Sequence, residues 1–223
     1  SLLSQGADGL LLIGGARPEK TRKFLTQHSV PHILAWCYSE TVDVPSVGFD
    51  NQKSGRSIAE HVISHGHRNL AVISGLRAGN DRAEDRILGI QAAIDAHQEV
   101  HLLALEECKY SFEEAGEALD VILSGQKRPT AIICGSDVLA VGAMLRAQDL
   151  GLCIPDDISI TGFDDINLAR VTTPGLTTVQ VPQNEMGRKA ADVLLSLLNG
   201  STEQAQSIEL MTTIIDRGTL AHI

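Results

Sequence analysis

Along nearly the whole chain, short runs rich in Val, Ile, Leu and Ala alternate with longer runs of helical period, and Gly, Pro, Asp or Asn stands at each handover. That rhythm is restrictive. Strands joined through helices pair in parallel, and a parallel sheet is covered on both faces by its crossover helices. The pattern predicts strands over 10–13, 32–36, 46–49, 70–74, 100–105, 130–134 and 158–161, with helices over 17–28, 50–65, 82–97, 112–124, 137–149 and 184–199. Residues 1–6 read as the last turn of a helix that stops on Gly6. Gly55, Ile58, Ala59, Val62 and Ile63 fall on one face of the 50–65 helix, and Met186, Ala190, Val193, Leu194 and Leu197 make one stripe of the 184–199 helix. Residues 176–181 read as an extended connector rather than a buried strand, and a β-rich stretch over 208–215 closes the chain. The fold class is therefore α/β.

Composition narrows the function. The chain has 223 residues, 43% apolar and 21% charged, enough for one large domain or two smaller lobes. It carries no run of about 18 apolar residues, so no membrane partner is expected. A formal charge of −10 is the wrong sign for a surface that neutralises phosphates, so these residues alone are a poor DNA-binding surface. Cys37, Cys108, Cys134 and Cys153 show no CxxC spacing and read as reduced thiols of a cytoplasmic protein.

Ligands of open parallel sheets bind beyond the carboxyl ends of the strands. The residues at those positions are Asp50 and Asn51 after 46–49, Arg82 and Arg86 after 70–74, Tyr110 after 100–105, Ser136 and Asp137 after 130–134, and Phe163, Asp164 and Asp165 after 158–161. Such a set suits a polar, hydroxyl-rich ligand: carboxylates accept from hydroxyls, arginine donates a fixed fork, and aromatic faces cover apolar sugar edges. Plainer roles stand beside these. Asp50 and Asp137 could cap the helices they precede, Asp165 fits a loop or cap, and Arg82 or Arg86 could belong to a solvated helix face.

His61, His65 and His67 form an HxxxHxH cluster, but no Cys, Asp or Glu stands at ligand spacing in the sequence. Polar residues at a helix end are the favoured reading, with no metal expected. The sequence carries no G-x-S-x-G elbow, no phosphate-binding G-x-x-x-x-G-K-[ST] loop and no HExxH, and Ile13-Gly14-Gly15-Ala16-Arg17 lacks the spacing of a dinucleotide site. Binding without catalysis, and without a cofactor, is the expectation.

Several phrases are more specific. Val47-Gly48-Phe49-Asp50-Asn51, His65-Gly66-His67-Arg68-Asn69-Leu70-Ala71-Val72-Ile73-Ser74-Gly75, Arg82 through Arg86 with Gly89, Ser136-Asp137 with Ala140, Ile154-Pro155-Asp156-Asp157-Ile158 running on to Phe163-Asp164-Asp165-Ile166, and Pro174-Gly175-Leu176-Thr177-Thr178-Val179 follow in order. Together they resemble the effector-binding domain of the lactose/galactose repressor (LacI/GalR) family of transcriptional regulators, over nearly the whole chain.

The resemblance implies a two-lobed, type I periplasmic-binding-protein fold, each lobe a parallel sheet flanked by helices. Residues 1–66 and 184–199 would form the first lobe, 67–176 and 207–217 the second, and 177–183 a crossing. It further implies an effector held in a cleft between the lobes by Asp50, Arg86, Tyr110, Ser136 with Asp137 behind it, and Asp164. Arg82 would supply a second basic contact, Trp36 would wall the pocket, and Phe163 would lie beside Asp164. A homodimer would pass the ligand-induced shift to a DNA-binding headpiece that these residues do not include, changing operator affinity; the first strands of the near lobe are expected to be missing as well. Ser136 stands where many sugar-responsive members carry Asn, and two arginines suit a sugar acid or sugar phosphate as well as a sugar. The alternative on the same fold is an exported sugar-binding protein of a transporter.

Overall fold

A computed structural model of the chain describes residues 6–39, 44–201 and 206–223. The helix end read over 1–6 lies, but for Gly6, outside them. In chain order the elements are β1 (Leu10–Ile13), α1 (Glu19–Gln27), β2 (His32–Ala35), β3 (Ser46–Gly48), α2 (Asn51–Ser64), β4 (Asn69–Gly75), α3 (Asp81–Asp95), β5 (His101–Cys108), α4 (Phe112–Leu123), β6 (Ala131–Cys134), α5 (Asp137–Asp149), β7 (Ser159–Asp164), α6 (Asn167–Val171), β8 (Thr177–Gln180), α7 (Gln183–Leu198), β9 (Ile208–Glu209) and β10 (Thr213–Ile215). They form two compact units, one of Ser1–Asn51, Ala78–Arg82 and Pro182–Met211, the other of Gln52–Arg77, Ala83–Val181 and Thr212–Ile223.

The first unit is built on a parallel sheet of order β1-β2-β3-β9. Ile33, Ala35 and Val47 are wholly buried in it. Helix α7 packs on β2 and β3 through the expected stripe, of which Met186, Ala190 and Val193 are buried.

The second unit holds a sheet of order β10-β8-β7-β6-β4-β5, parallel except where β10 runs against β8. Its central strands read as continuous apolar runs because both faces are covered: all four residues of β6 are buried. Helices α4 and α5 pack on each other and on the sheet, closing a core that includes Leu119, Ile122, Ile132, Leu139, Met144 and Ile160. None of the four cysteines is in a disulfide.

Three elements differ from the sequence reading. The stretch over 176–181 contains a true strand, β8, with Thr177 and Thr178 fully buried. Its polar side chains are tolerated there because Thr177 Oγ1 donates to Asp216 Oδ1 at 3.1 Å, Thr178 Oγ1 to Asp137 Oδ1 at 2.5 Å and Gln180 Nε2 to Asp165 Oδ2 at 2.8 Å. The short helix α6 was not foreseen. Lastly, the first unit ends after Asn51 rather than near residue 66. Helix α2 joins the second unit because glycines let it meet α3 backbone to backbone: a Cβ on Gly55 would strike the main chain of Arg86, and one on Gly89 the carbonyl of Gln52. The closing β-rich stretch is likewise shared, β9 pairing with β3 and β10 with β8.

Candidate functional site

In the second unit, four strands end on one edge of the sheet and deliver the residues singled out from the sequence. Helix α3, which follows β4, carries Arg86, and the side chain is almost fully buried, at 7% exposed. A cation in that position needs fixed partners. Arg86 Nη1 donates to the carbonyl of Gly135, just past the end of β6, at 2.7 Å, and its guanidinium carbon sits 3.7 Å from the centroid of the Phe163 ring. Asp164 Oδ1, at the end of β7, lies 3.6 Å from Nη2. Carbonyl, aromatic face and carboxylate thus hold one planar group.

Asp164 and Asp165 both have positive φ, 109° and 53°. Left-handed backbone at a residue other than glycine costs about 1–3 kcal/mol and persists only where the surroundings enforce it. The two carboxylates part company at this turn. Asp164 goes to Arg86. Asp165, with its side chain 1% exposed, accepts from Arg217 Nη2 at 2.6 Å, from Gln180 Nε2 at 2.8 Å and from Arg170 Nη2 at 3.1 Å. Burial alone would raise the Asp165 pKa, but these donors outweigh it and hold the carboxyl below its ordinary value. Asp165 is a loop anchor.

Ser136 is the N-cap of α5: its hydroxyl accepts from Leu139 N–H at 3.3 Å. The cap is therefore Ser136 and not Asp137, whose side chain points inward. Asp137 Oδ1 accepts from Thr178 and Oδ2 from Ile166 N–H at 2.8 Å, so one fully buried carboxyl joins α5, β8 and the loop after β7. Burial pushes its pKa up to about 7, against the pull of the Thr178 and Ile166 donors, and the charges of Asp164 and Asp165 push the same way. Tyr110, after β5, lays its ring over Gly75 at the end of β4, where a Cβ would meet the phenol; the residue is 48% exposed.

The remaining candidates lie in the first unit. Trp36 follows β2 with φ of 62°, its carbonyl accepts from Asn51 Nδ2 at 2.8 Å, and its N–H points at Met186 Sδ at 3.3 Å. Asp50 is the residue between β3 and α2 and is partly exposed. Arg82 Nη1 lies 3.5 Å from Asp81 Oδ1, and a Cβ on Gly14 would strike its guanidinium. Gly15 N–H donates to Asp81 Oδ2 at 2.5 Å.

The second unit thus brings Arg86, Phe163 and Asp164 together, with Ser136 next to the carbonyl that Arg86 grips. Phe163 is 2% exposed and serves as the platform beneath Arg86. The Gly135 carbonyl, a main-chain partner, is the member of this group that no residue-type search would find.

Over residues 59–220 the sequence matches the family of periplasmic binding protein-like domains. The chain belongs to this family. Within it the chain is 33% identical over 217 residues to the HTH-type transcriptional repressor PurR of Klebsiella pneumoniae, an alignment that takes in 96% of this chain and 63% of the repressor. Among solved structures it resembles the transcription regulator GntR from Chromobacterium violaceum, with 28% identity, a TM-score of 0.87 and 98% of this chain covered against 80% of that one. A regulatory protein of the LacI family from Chloroflexus aggregans gives 27% identity, a TM-score of 0.85 and coverage of 100% and 80%. The resemblance expected from the sequence is thereby borne out: over nearly its whole length the chain is similar to transcriptional regulators of the lactose/galactose repressor type. The exported transport protein is not favoured, since the named relatives regulate transcription. No helix among the described residues is long and apolar enough to cross a membrane.

Proposed function

We propose that this periplasmic-binding-protein-like chain is the sensing part of a DNA-binding transcriptional regulator, and that its effector is a sugar, sugar acid or sugar phosphate. The observation that carries the reading is the seating of Arg86 on the Phe163 ring between the Gly135 carbonyl and Asp164, at the strand edge where ligands of parallel sheets bind. A guanidinium fixed in this way presents a planar cation suited to hydroxyl, carboxylate or phosphate oxygens, and a carboxylate such as Asp164 suits sugar hydroxyls. Tyr110 supplies an aromatic face on the same edge. Asp50, Arg82, Trp36 and Ser136 are proposed as further ligand contacts.

The regulatory part of the proposal rests on kinship. The relatives are transcriptional repressors and regulators, of whose length this chain spans about 63% in the first case. A cytoplasmic homodimer in which bound effector shifts the population between two states, and so alters operator affinity through a separate basic headpiece, is the arrangement proposed. It accords with the acidic charge of these residues.

The test is a thermal-shift panel of sugars, sugar acids and sugar phosphates, followed by calorimetry of the hits on the parent chain and on Arg86→Ala. A ligand that binds only the folded state raises the melting temperature. At least one compound should do so, and Arg86→Ala should weaken it by about 100-fold, the loss expected for a charge-assisted contact of about 2–3 kcal/mol. Equal affinity in the variant would overturn the assignment.

A further inference from the structure

The cluster of histidines at the end of α2 has a partner that its sequence neighbourhood hides. His61 and His65 are one helical turn apart, and Asp216, which follows β10, brings Oδ2 to 3.3 Å from His61 Nε2 and 3.5 Å from His65 Nε2. The three ligand atoms all lie within 4.8 Å of one another. Donor atoms around a tetrahedral zinc ion, at about 2.0–2.1 Å from the metal, are spaced about 3.3 Å apart. All three residues belong to the second unit.

The hydrogen bonds behind these atoms point the same way. His65 Nδ1 lies 2.9 Å from the carbonyl of His61, and a carbonyl only accepts, so Nδ1 carries the proton and the lone pair of the neutral ring is on Nε2, facing Asp216. On the carboxylate, Thr177 Oγ1 donates to Oδ1, leaving Oδ2 toward the histidines. His61 Nε2 is buried and lacks an aligned hydrogen bond, although the carboxylate is near. Two imidazoles and one carboxylate therefore converge, and two of the three, His65 and Asp216, are oriented from behind as the outer partners of metal ligands orient them. His67 takes no part, being bonded to Thr130 Oγ1 at 2.9 Å and to the Ala221 carbonyl at 3.2 Å. His222 stacks on the His65 ring, with centroids 3.9 Å apart, and shields it.

We propose that His61, His65 and Asp216 bind a divalent cation of the zinc class, with the fourth position open to water. Nitrogen and carboxylate donors in this number select zinc and its first-row neighbours over magnesium or calcium, which take oxygen. The ion would tie the segment after β10 to the end of α2, a cross-link between residues that are 151 positions apart (216 minus 65).

The experiment is calorimetric titration of zinc chloride into the chelator-stripped chain, beside His61→Gln, Asp216→Asn and the exposed-site control His97→Gln. One ion per chain should bind, the first two variants should each weaken it at least about tenfold, and the control should not. Zinc should raise the melting temperature of the parent and of His97→Gln but not of the two site variants. Should those variants fold poorly by circular dichroism, nitrogen-15 spectra of the parent imidazoles decide: zinc should shift Nε2 of two histidines and leave their Nδ1 protonated. Absence of saturable uptake, uptake that survives both site variants, or imidazole signals that do not respond would overturn the proposal.

Discussion

Asp137 and Thr178 share a hydrogen bond of 2.5 Å in the interior of the second unit, and the same carboxyl takes the N–H of Ile166 on its other oxygen. The pair fixes β8 against the start of α5. It also makes the folded state sensitive to pH in a definite direction. The Asp137 pKa rises from its ordinary 3.8 to about 7 on folding, so its ionised form is disfavoured in the folded chain. The contribution is fully present below the unfolded value and is lost as pH rises through about 7. Asp137→Asn can keep both bonds, its carbonyl accepting from Ile166 and its amide donating to the Thr178 hydroxyl. Urea unfolding between pH 4 and pH 8 should show a flatter profile in this variant than in the parent; an unchanged profile would assign the dependence elsewhere.

Asp165, the next carboxylate to turn inward, has the opposite sign. Its pKa is lowered in the folded chain, so its contribution is present above the ordinary carboxylate range and lost as pH falls through the folded value. Arg217→Ala removes the 2.6 Å donor from a side chain that is 1% exposed. A buried charge deprived of its partner costs about 3–5 kcal/mol, with Gln180 and Arg170 retaining part of that here. Chemical denaturation at neutral pH should show a loss of about 2–4 kcal/mol that shrinks toward acid.

The platform under Arg86 gives a third expectation. Phe163→Leu keeps an apolar residue but removes the π face, and cation–π contacts at desolvated sites are worth about 2 kcal/mol. Stability should fall by about 1–3 kcal/mol, and affinity for any effector found in the panel should fall with it, since the guanidinium loses its floor. Arg86→Lys should not rescue binding in place of arginine, because an ammonium cannot reproduce the planar donor geometry that is stacked on the Phe163 ring and bonded to the Gly135 carbonyl. Calorimetry on the two variants distinguishes them.

A fourth concerns the α2–α3 contact. A methyl group on Gly89 would overlap the Gln52 carbonyl. Gly89→Ala should therefore destabilise the second unit by about 1–3 kcal/mol despite its better helix propensity, and Gly89→Val by more. Thermal unfolding reads this directly. A neutral Gly89→Ala would mean the helices separate at no cost.

How much of this was legible beforehand follows from where the partners lie. Arg86, Tyr110, Ser136 and Asp164 could be singled out as candidates because each lies at or beyond the end of a strand whose apolar run is local and easy to read. Strand β8 was read as a connector because Thr177, Thr178 and Gln180 look solvated; the groups that satisfy them, Asp216, Asp137 and Asp165, are distant in sequence or were read as loop residues. The division of the chain after Asn51 escaped for a related reason. Gly55 and Gly89 look unremarkable singly, and only their mutual approach shows that α2 belongs with α3. Asp216 was invisible beside His61 and His65 because β10 returns it from the far end of the chain. Local periodicity reports elements; side-chain satisfaction is a property of the sheet order.

The grip of Gly135 on Arg86 has a consequence for how recognition at this edge would change over time. The rotamers of a long cationic side chain are frozen here by main-chain and aromatic partners before any ligand arrives, so the entropy of immobilising it is already lost in folding. An incoming anion or polyol would meet a rigid receptor group and bind with a small ordering penalty whatever its exact shape. New preferences could then arise by substituting the half-exposed surroundings, Tyr110 among them, while the arginine and its seat stay as they are.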